Sequence, residues 1–238
     1  MTAPRVWLVV PAAGIGQRMA AQRPKQYLTL EGWYLLDITL TRLLTEQVFA
    51  GCMVALASDD PWWPQTRSAS HPSIRTCTGG SERVDSVLAA LRALASEAAP
   101  DDWVLVHDVA RPCLHPEDLR ALLGTLWDDK VGGILTAPVA DTLKRGDDHA
   151  RIEATVDRRQ LWRALTPQMF RYQTLVTALE QGLAAGLLIT DEASAVEALG
   201  LAPALVEGRT DNIKVTVPAD LTLAGYILRG QGFFENEE

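Results

Sequence analysis

Val6-Trp7-Leu8-Val9-Val10-Pro11-Ala12-Ala13-Gly14-Ile15-Gly16-Gln17-Arg18-Met19 is the stretch that decides the reading of this chain. Val6–Val10 is an apolar, β-branched run, the composition of a strand buried on both faces. Pro11–Gly16 then breaks the run with small residues, which let backbone N–H groups approach a phosphate or a base closely. No Gly-Lys-Ser/Thr ends the turn, so it is not the phosphate loop of that type. Met19 stands where a third glycine belongs, so it is not the dinucleotide fingerprint either. Two readings remain open at this point. One is a plain strand-to-helix turn with Arg18 and Lys25 as solvated surface cations. The other is a polyphosphate site, with Arg18 on the turn and Lys25 in Pro24-Lys25-Gln26 just beyond it.

Outward from this turn, strand-like and helix-like segments alternate. Leu35, Ile38, Leu40, Leu43 and Leu44 recur at helical spacing and predict a helix over 34–47. Met53–Ala57 and Ile74–Thr78 read as strands, and Pro61-Trp62-Trp63-Pro64 as a loop, because prolines do not sit in a ladder. A helix over 82–96, a buried strand Trp103–Val106, a helix Pro116–Trp127 and a strand Ile134–Val139 follow. Leu143–Arg145 and Arg151–Val156, joined by Gly146–His149, read as a polar hairpin. It has little apolar surface to bury on its own, so it projects and pairs with something else. Helices Tyr172–Leu183, Asp191–Leu199 and Pro218–Leu228 and short strands Ala204–Glu207 and Ile213–Val215 complete the series. The acidic tail over 233–238 is expected to fray. The chain carries no repeat and no low-complexity linker, so one α/β domain over 1–238 is expected, with an arm over about 140–160. Its sheet should be mainly parallel, with helices on both faces and ligands at the carboxyl ends of the strands.

The 238 residues carry 22 Lys and Arg against 30 Asp and Glu, a net charge of −8. Such a chain is a poor general binder of nucleic acid or of an anionic membrane, yet can hold a small anion where its cations gather. No apolar run reaches the ~18 residues of a membrane helix, and the run after Arg5 is too short for a secretory signal. Cys52, Cys77 and Cys113 are odd in number and far apart, which excludes a zinc knuckle and suits a reducing, cytoplasmic setting. No histidine pair at ligand spacing exists, so no protein metal site is expected.

Three further clusters could carry chemistry. Asp108, in His107-Asp108-Val109-Ala110-Arg111-Pro112, follows a buried strand and sits where α/β proteins keep ligand contacts. It could bond a ribose hydroxyl or a metal–phosphate unit while Arg111 forks onto a phosphate; an Asp cap with an internal ion pair is the plainer alternative. His107 points the other way along the strand and reads as structural. Gly79-Gly80-Ser81-Glu82-Arg83 opens a helix carrying Ser86, and its amides and hydroxyls could read a base edge. Ser81 as an ordinary N-cap is the simpler account. Thr166-Pro167-Gln168, Thr190-Asp191-Glu192 and Asn212-Ile213-Lys214 read as capping and turn chemistry beside element ends. A Ser/His/Asp triad has no Gly-x-Ser-x-Gly elbow to stand on. The doublets Asp59-Asp60, Asp101-Asp102, Asp128-Asp129 and Asp147-Asp148 read as solvated surface.

Together these clusters resemble the 2-C-methyl-D-erythritol 4-phosphate cytidylyltransferases of non-mevalonate isoprenoid synthesis. Eight motifs stand in register over about 5–228: Pro11–Met19, Pro24–Tyr27, Gly79–Val87, Val104–Pro112, Asp157-Arg158, Leu165–Gln168, Thr190–Ser194 and Asp211–Thr216. The resemblance implies a Rossmann-like nucleotidyltransferase fold, a homodimer with exchanged arms, CTP and methylerythritol 4-phosphate as substrates, and Mg²⁺ carried on the triphosphate. It implies that Ala12, Ala13, Gly14 and Gly16 line the nucleotide loop and that Gly80, Ser81 and Ser86 read the cytosine. Asp108 and Val109 would lie near ribose and phosphates, Arg18 and Lys25 would stabilise the transition state, and Arg111, Thr166, Thr190 and Lys214 would hold the second substrate. Thr142 and Arg158 on the arm would complete the partner's site, Arg158 and Lys214 counting among the catalytic cations. Two positions depart from the usual pattern: Val109 stands where Ala, Gly or Ser is normal, and Ser81 where some members have Asp. A ribitol 5-phosphate cytidylyltransferase shares these motifs, and a non-catalytic CTP-binding regulator is the alternative from another class.

The chemistry so implied is self-consistent. A phosphate monoester with a second pKa near 6 is largely dianionic at neutral pH and needs no general base. The obstacle is bringing a dianion against a triphosphate, so positioning and charge neutralisation must supply the catalysis.

Overall fold

The computed structural model describes residues 3–14 and 23–235. In chain order the strands are β1 (Val6–Pro11), β2 (Thr29–Leu30), β3 (Trp33–Tyr34), β4 (Phe49–Leu56), β5 (Ile74–Thr78), β6 (Trp103–Val106), β7 (Gly132–Pro138), β8 (Leu143–Gly146), β9 (Ile152–Val156), β10 (Trp162–Arg171) and β11 (Ala204–Glu207). The helices are α1 (Leu35–Leu44), α2 (Arg83–Ala93), α3 (Pro116–Leu126), α4 (Tyr172–Ala184), α5 (Glu192–Ala198) and α6 (Pro218–Gly230). Seven strands form the main sheet in the order β11-β7-β10-β6-β1-β4-β5. All neighbours run parallel except β10, which is antiparallel to both β6 and β7.

Strand β1 lies inside the sheet between β6 and β4, and its period of two sorts the core. Val6, Leu8 and Val10 join the apolar layer that holds Leu36, Leu40 and Leu43 of α1 and Leu119, Leu122 and Leu126 of α3. Trp7 and Val9 face the other layer, with Leu88 and Leu91 of α2, Leu175 and Leu179 of α4 and Val196 of α5. Burial on both faces is why β1, β4 and β6 are almost uninterrupted apolar runs. A third cluster seats α6 on the β2–β3 hairpin and α1 through Trp33, Ile38, Ala224 and Leu228.

Several sequence expectations are corrected. Thr166-Pro167-Gln168 lies inside β10, a strand not read from the sequence, and the β10–β7 register shifts between Ala164 and Gln168. Residues 213–215 join no ladder; the Val215 amide donates to the Ala110 carbonyl (2.8 Å) and nothing more regular forms. Asp102 is not solvated surface. It is 3% exposed and accepts from the Arg5 amide, Trp7 Nε1 and the Ala99 amide at 2.9–3.0 Å, tying the entry of β1 to that of β6. Asp60 likewise accepts from the buried Tyr27 hydroxyl (2.8 Å) and from the Trp62 amide. The tail is packed at its start, where Phe233 meets Trp33 edge-on at 5.5 Å; residues 236–238 lie outside the described residues.

The hairpin appears as read. β8 and β9 pair with each other and, among the described residues, with no other strand. Asp147 Oδ1 accepts from the His149 and Arg151 amides and shapes the turn. No helix of the described residues is long and apolar enough to cross a membrane.

Candidate functional site

The strand order reverses between β1 and β6: the chain steps from β1 to β4 and β5 on one side, then returns to β6 on the other. The segments leaving these two strands diverge at their carboxyl ends and open a crevice there, the position where open α/β sheets bind ligands. Ala12, Ala13 and Gly14 line it after β1, with Asp108 and Val109 after β6, Gly80, Ser81 and Ser86 from the start of α2, and Lys25 and Lys214. Gly16 and Arg18 lie outside the described residues.

Local bonds hold each wall. Gln26 is buried and its Nε2 donates to the Ala12 carbonyl (2.6 Å), pinning the segment after β1. Ser86 Oγ accepts from the Gly80 amide (3.2 Å) and donates to the Glu82 carbonyl (3.1 Å). Side chains have no room at the two glycines: a Cβ on Gly79 would lie 2.6 Å from Ala13 Cβ, and one on Gly80 2.2 Å from Asp85 Cβ. A Cβ on Gly14 would meet nothing within 4 Å among the described residues. Ser81 is not the N-cap. Glu82 takes that place, its amide donating to Asp85 Oδ2 (3.1 Å), while Ser81 Oγ donates to the same oxygen (3.0 Å). Val109 is 5% exposed and packs into the α1–α3 layer, presenting one edge to the crevice.

A second cleft adjoins the first and shares Arg83, Asp108 and Lys214 with it; its other walls include Arg111, Thr166, Gln168, Thr190 and Asp191. Asp108 stands between the two. Arg83 Nε lies 2.7 Å from its Oδ1, Lys214 Nζ 2.7 Å from its Oδ2, and Arg111 Nε 3.8 Å from the same oxygen. Burial alone would raise this carboxyl, but the adjacent Arg83 and Lys214 charges hold it well below the usual carboxylate range. Arg83 also forks onto Glu192, Nη1 to Oε1 at 2.6 Å and Nη2 to Oε2 at 3.0 Å. Arg111 Nη1 donates to the Asn212 carbonyl (2.7 Å), whereas its buried Nε finds no hydrogen-bond partner among the described residues. That Nε instead faces Asp108 Oδ2 at 3.8 Å, charge against charge without a hydrogen bond.

His107 is fully buried and braces this arrangement. The Arg111 carbonyl can only accept, so Nε2–H donates to it (3.0 Å). Nδ1 then accepts from the Thr166 hydroxyl (3.1 Å), whose oxygen accepts from the Asp108 amide (3.1 Å). Gln168 Nε2 donates to Asp191 Oδ2 (2.8 Å) and its Oε1 accepts from the Ala193 amide (2.9 Å), which fixes the start of α5 beside Thr190. Thr142 and Arg158 are exposed on the arm side of the chain and line neither cleft.

Arg83 and Glu192 escaped the sequence reading because their pairing spans 109 residues. One signal was present: a cation at the first position of a helix opposes the helix dipole and needs a local reason. Among the described residues no three His, Cys, Asp or Glu side chains converge as a metal cage.

A doubly covered α/β sheet, with one cleft at its switch point and a cationic cleft beside it, defines a nucleotide-binding protein that can receive a second, anionic ligand. Residues 6–230 match the family IspD: 2-C-methyl-D-erythritol 4-phosphate cytidylyltransferase, and the chain belongs to that family. A protein of that name from Pseudomonas putida is 56% identical over 221 residues, 92% of this chain and 94% of the relative. A crystal structure of 4-diphosphocytidyl-2C-methyl-D-erythritol synthase superposes with a TM-score of 0.83 at 35% identity, covering 96% of this chain and 100% of the other. The Francisella tularensis 2-C-methyl-D-erythritol 4-phosphate cytidylyltransferase superposes with a TM-score of 0.82 at 34% identity, covering 94% of this chain and 100% of that one.

The brace makes a pH prediction. Burial pushes the His107 imidazole down from 6.5 to about 4, so the folded chain favours its neutral form. Between those values the unfolded chain binds the extra proton, so stability must fall as pH falls through that window, by about 3 kcal/mol from this group. Urea midpoints at pH 7, 5.5 and 4 should show a shallower decline in His107→Gln, which keeps a donor for the Arg111 carbonyl. Parallel declines in both proteins would contradict the assignment.

Proposed function

We propose that the chain transfers the cytidylyl group of CTP to the phosphate of 2-C-methyl-D-erythritol 4-phosphate, giving 4-diphosphocytidyl-2-C-methyl-D-erythritol and pyrophosphate. The carrying observation is that two clefts meet over one set of side chains, Asp108, Arg83 and Lys214. The nucleotide occupies the crevice at the switch point. Its cytosine faces Gly80, Ser81 and Ser86, and its ribose and phosphates face Asp108, Val109 and the Ala12–Gly14 segment. The sugar phosphate occupies the second cleft, against Arg111, Thr166, Thr190 and Lys214.

An oxygen of the acceptor phosphate attacks the α-phosphorus in line. The bond from that phosphorus to the oxygen bridging the β-phosphate breaks, and pyrophosphate leaves with the electron pair. The dianionic nucleophile needs no general base, and His107, buried and committed on both nitrogens, is not placed to act as one. Lys25 and Lys214, with Arg18 from the family resemblance, offset the charge gathered in the transition state. Mg²⁺ would take its oxygens from the triphosphate, because Asp108 and Glu192 are each held by cations of the chain itself. When bound, the metal draws charge off the departing pyrophosphate.

We further propose a homodimer with exchanged arms around a single domain over 1–238. A two-stranded ribbon is marginal in water on its own, and this one leaves Ile152 70% exposed, with Trp162 at 38% where the chain returns to the sheet. A second copy covers it, bringing Thr142 and Arg158 to the partner's acceptor cleft. The cysteines are free, which suits a cytoplasmic enzyme.

Pyrophosphate release from CTP and Mg²⁺, with methylerythritol 4-phosphate and ribitol 5-phosphate run in parallel, tests the reaction. Release with the first only is expected. Release with the second only moves the acceptor assignment, and CTP binding without release from either contradicts transfer. Arg158→Ala should raise the KM for the sugar phosphate about tenfold, well beyond any change for CTP. Unchanged constants, or a fully active monomer at micromolar concentration, would contradict the shared site.

A further inference from the structure

We propose that Arg83 is a positioning residue of the transfer: it is the standing counter-ion of Asp108, and by keeping that carboxylate paired it frees Lys214 to leave Asp108 for the acceptor phosphate. The inference rests on the assignment of the two clefts given above. It adds a role for a side chain that lines both clefts but is assigned as a contact to neither substrate.

Asp108 is 9% exposed in its side chain and has two close cations, one on each oxygen. They are not equivalent. Lys214 is 39% exposed and ends in a compact ammonium on a flexible stem, free to swing between oxygens. Arg83 is 27% exposed, and its far end is clamped by Glu192, itself 1% exposed. A guanidinium fork holding two carboxylates has one orientation, so Arg83 is the fixed partner and Lys214 the exchangeable one.

The need for a fixed partner follows from the reaction. Lys214 cannot neutralise an incoming phosphate and Asp108 with full strength at once. With Arg83 in place, its departure leaves Asp108 paired through Nε at 2.7 Å. Without that pairing, departure would leave Asp108 only Arg111, at 3.8 Å, and Asp108 would compete with the phosphate for the lysine.

The position of Arg83 supports the same role. It is the first residue of α2, where a cation is disfavoured by the helix dipole. Two carboxylates hold it there: Asp108 at the end of β6 and Glu192 at the first position of α5. The bond thus runs from the element that shapes the nucleotide cleft to the one that shapes the acceptor cleft.

The test uses the full-length protein and the variants Arg83→Lys and Glu192→Gln. Arg209→Lys, in the ion pair with Glu117 and Asp118, serves as the control. CTP affinity is measured by calorimetry without acceptor, and steady-state constants by pyrophosphate release. Arg83→Lys keeps the charge but cannot span both carboxylates, so the acceptor KM should rise about tenfold. Any loss of CTP affinity, or of kcat at saturating acceptor, should be several-fold smaller than the rise in acceptor KM. Glu192→Gln, which keeps part of the fork, should show the same split to a smaller degree, and carries the test if Arg83→Lys fails to fold. A merely structural role would lower melting temperature, CTP affinity and kcat together, with no selective loss for the acceptor. An unchanged acceptor KM in both variants, or an equal loss for both substrates, overturns the proposal. Absence of turnover by the parent protein is a different result: it overturns the reading of the clefts and this inference with it.

Discussion

A carboxylate withdrawn from water must keep a cation beside it, and Asp108 meets that demand with three: Arg83, Lys214 and, at 3.8 Å, Arg111. Everything else at the site is arranged around this concentration of charge. The cations are more than Asp108 needs, and the surplus faces two clefts that open on either side of it. A chain with a net charge of −8 has only local means of attracting a triphosphate and a sugar phosphate, and in the proposed reading this cluster is that means.

The fold places Asp108 there through a few constraints. Parallel pairing of β1 with both β4 and β6 sets the switch point, and the carboxyl ends of β1 and β6 open the crevice. Asp102 fastens the entries of the same two strands, so the frame is fixed at the end opposite the chemistry. The antiparallel β10 then carries Thr166 under the Asp108 amide and Gln168 against Asp191. The cleft proposed for the acceptor therefore rests on a strand that departs from the parallel rule.

Much of this was legible in the sequence because burial on both faces writes itself as apolar runs. Val6–Val10 and Trp103–Val106 were bounded almost to the residue, while Ile74–Thr78, an edge strand left largely open to solvent, was legible instead from the Gly79-Gly80 that ends it. β10 was not legible, since Thr166, Pro167 and Gln168 interrupt it and its buried polar groups are satisfied by His107, Asn212 and Asp191 from elsewhere in the chain. Ile213–Val215 misled in the opposite direction: Val215 is buried, but against α6 and not in a ladder. Most of the candidate site residues stood in recognisable motifs, and the resemblance named their family. Arg83 and Glu192 did not stand out, because an ion pair between helix starts is set by the tertiary fold and leaves no local pattern. Of the Asp doublets, Asp102 and Asp60 were misread for a related reason, as nothing adjacent to Asp102 signals that Trp7 and Arg5 will converge on it.

The central claim is that the two ligands react directly with each other across Asp108, with the protein supplying position and charge and no nucleophile of its own. Its stereochemical course is the most direct measurement. CTP carrying sulfur in place of one α-phosphate oxygen, in a single configuration, would be turned over with the sugar phosphate and the product's configuration determined by phosphorus NMR. One in-line displacement inverts the α-phosphorus, and inversion is the result this account requires. Retention would mean two displacements through a cytidylylated side chain, and would contradict it.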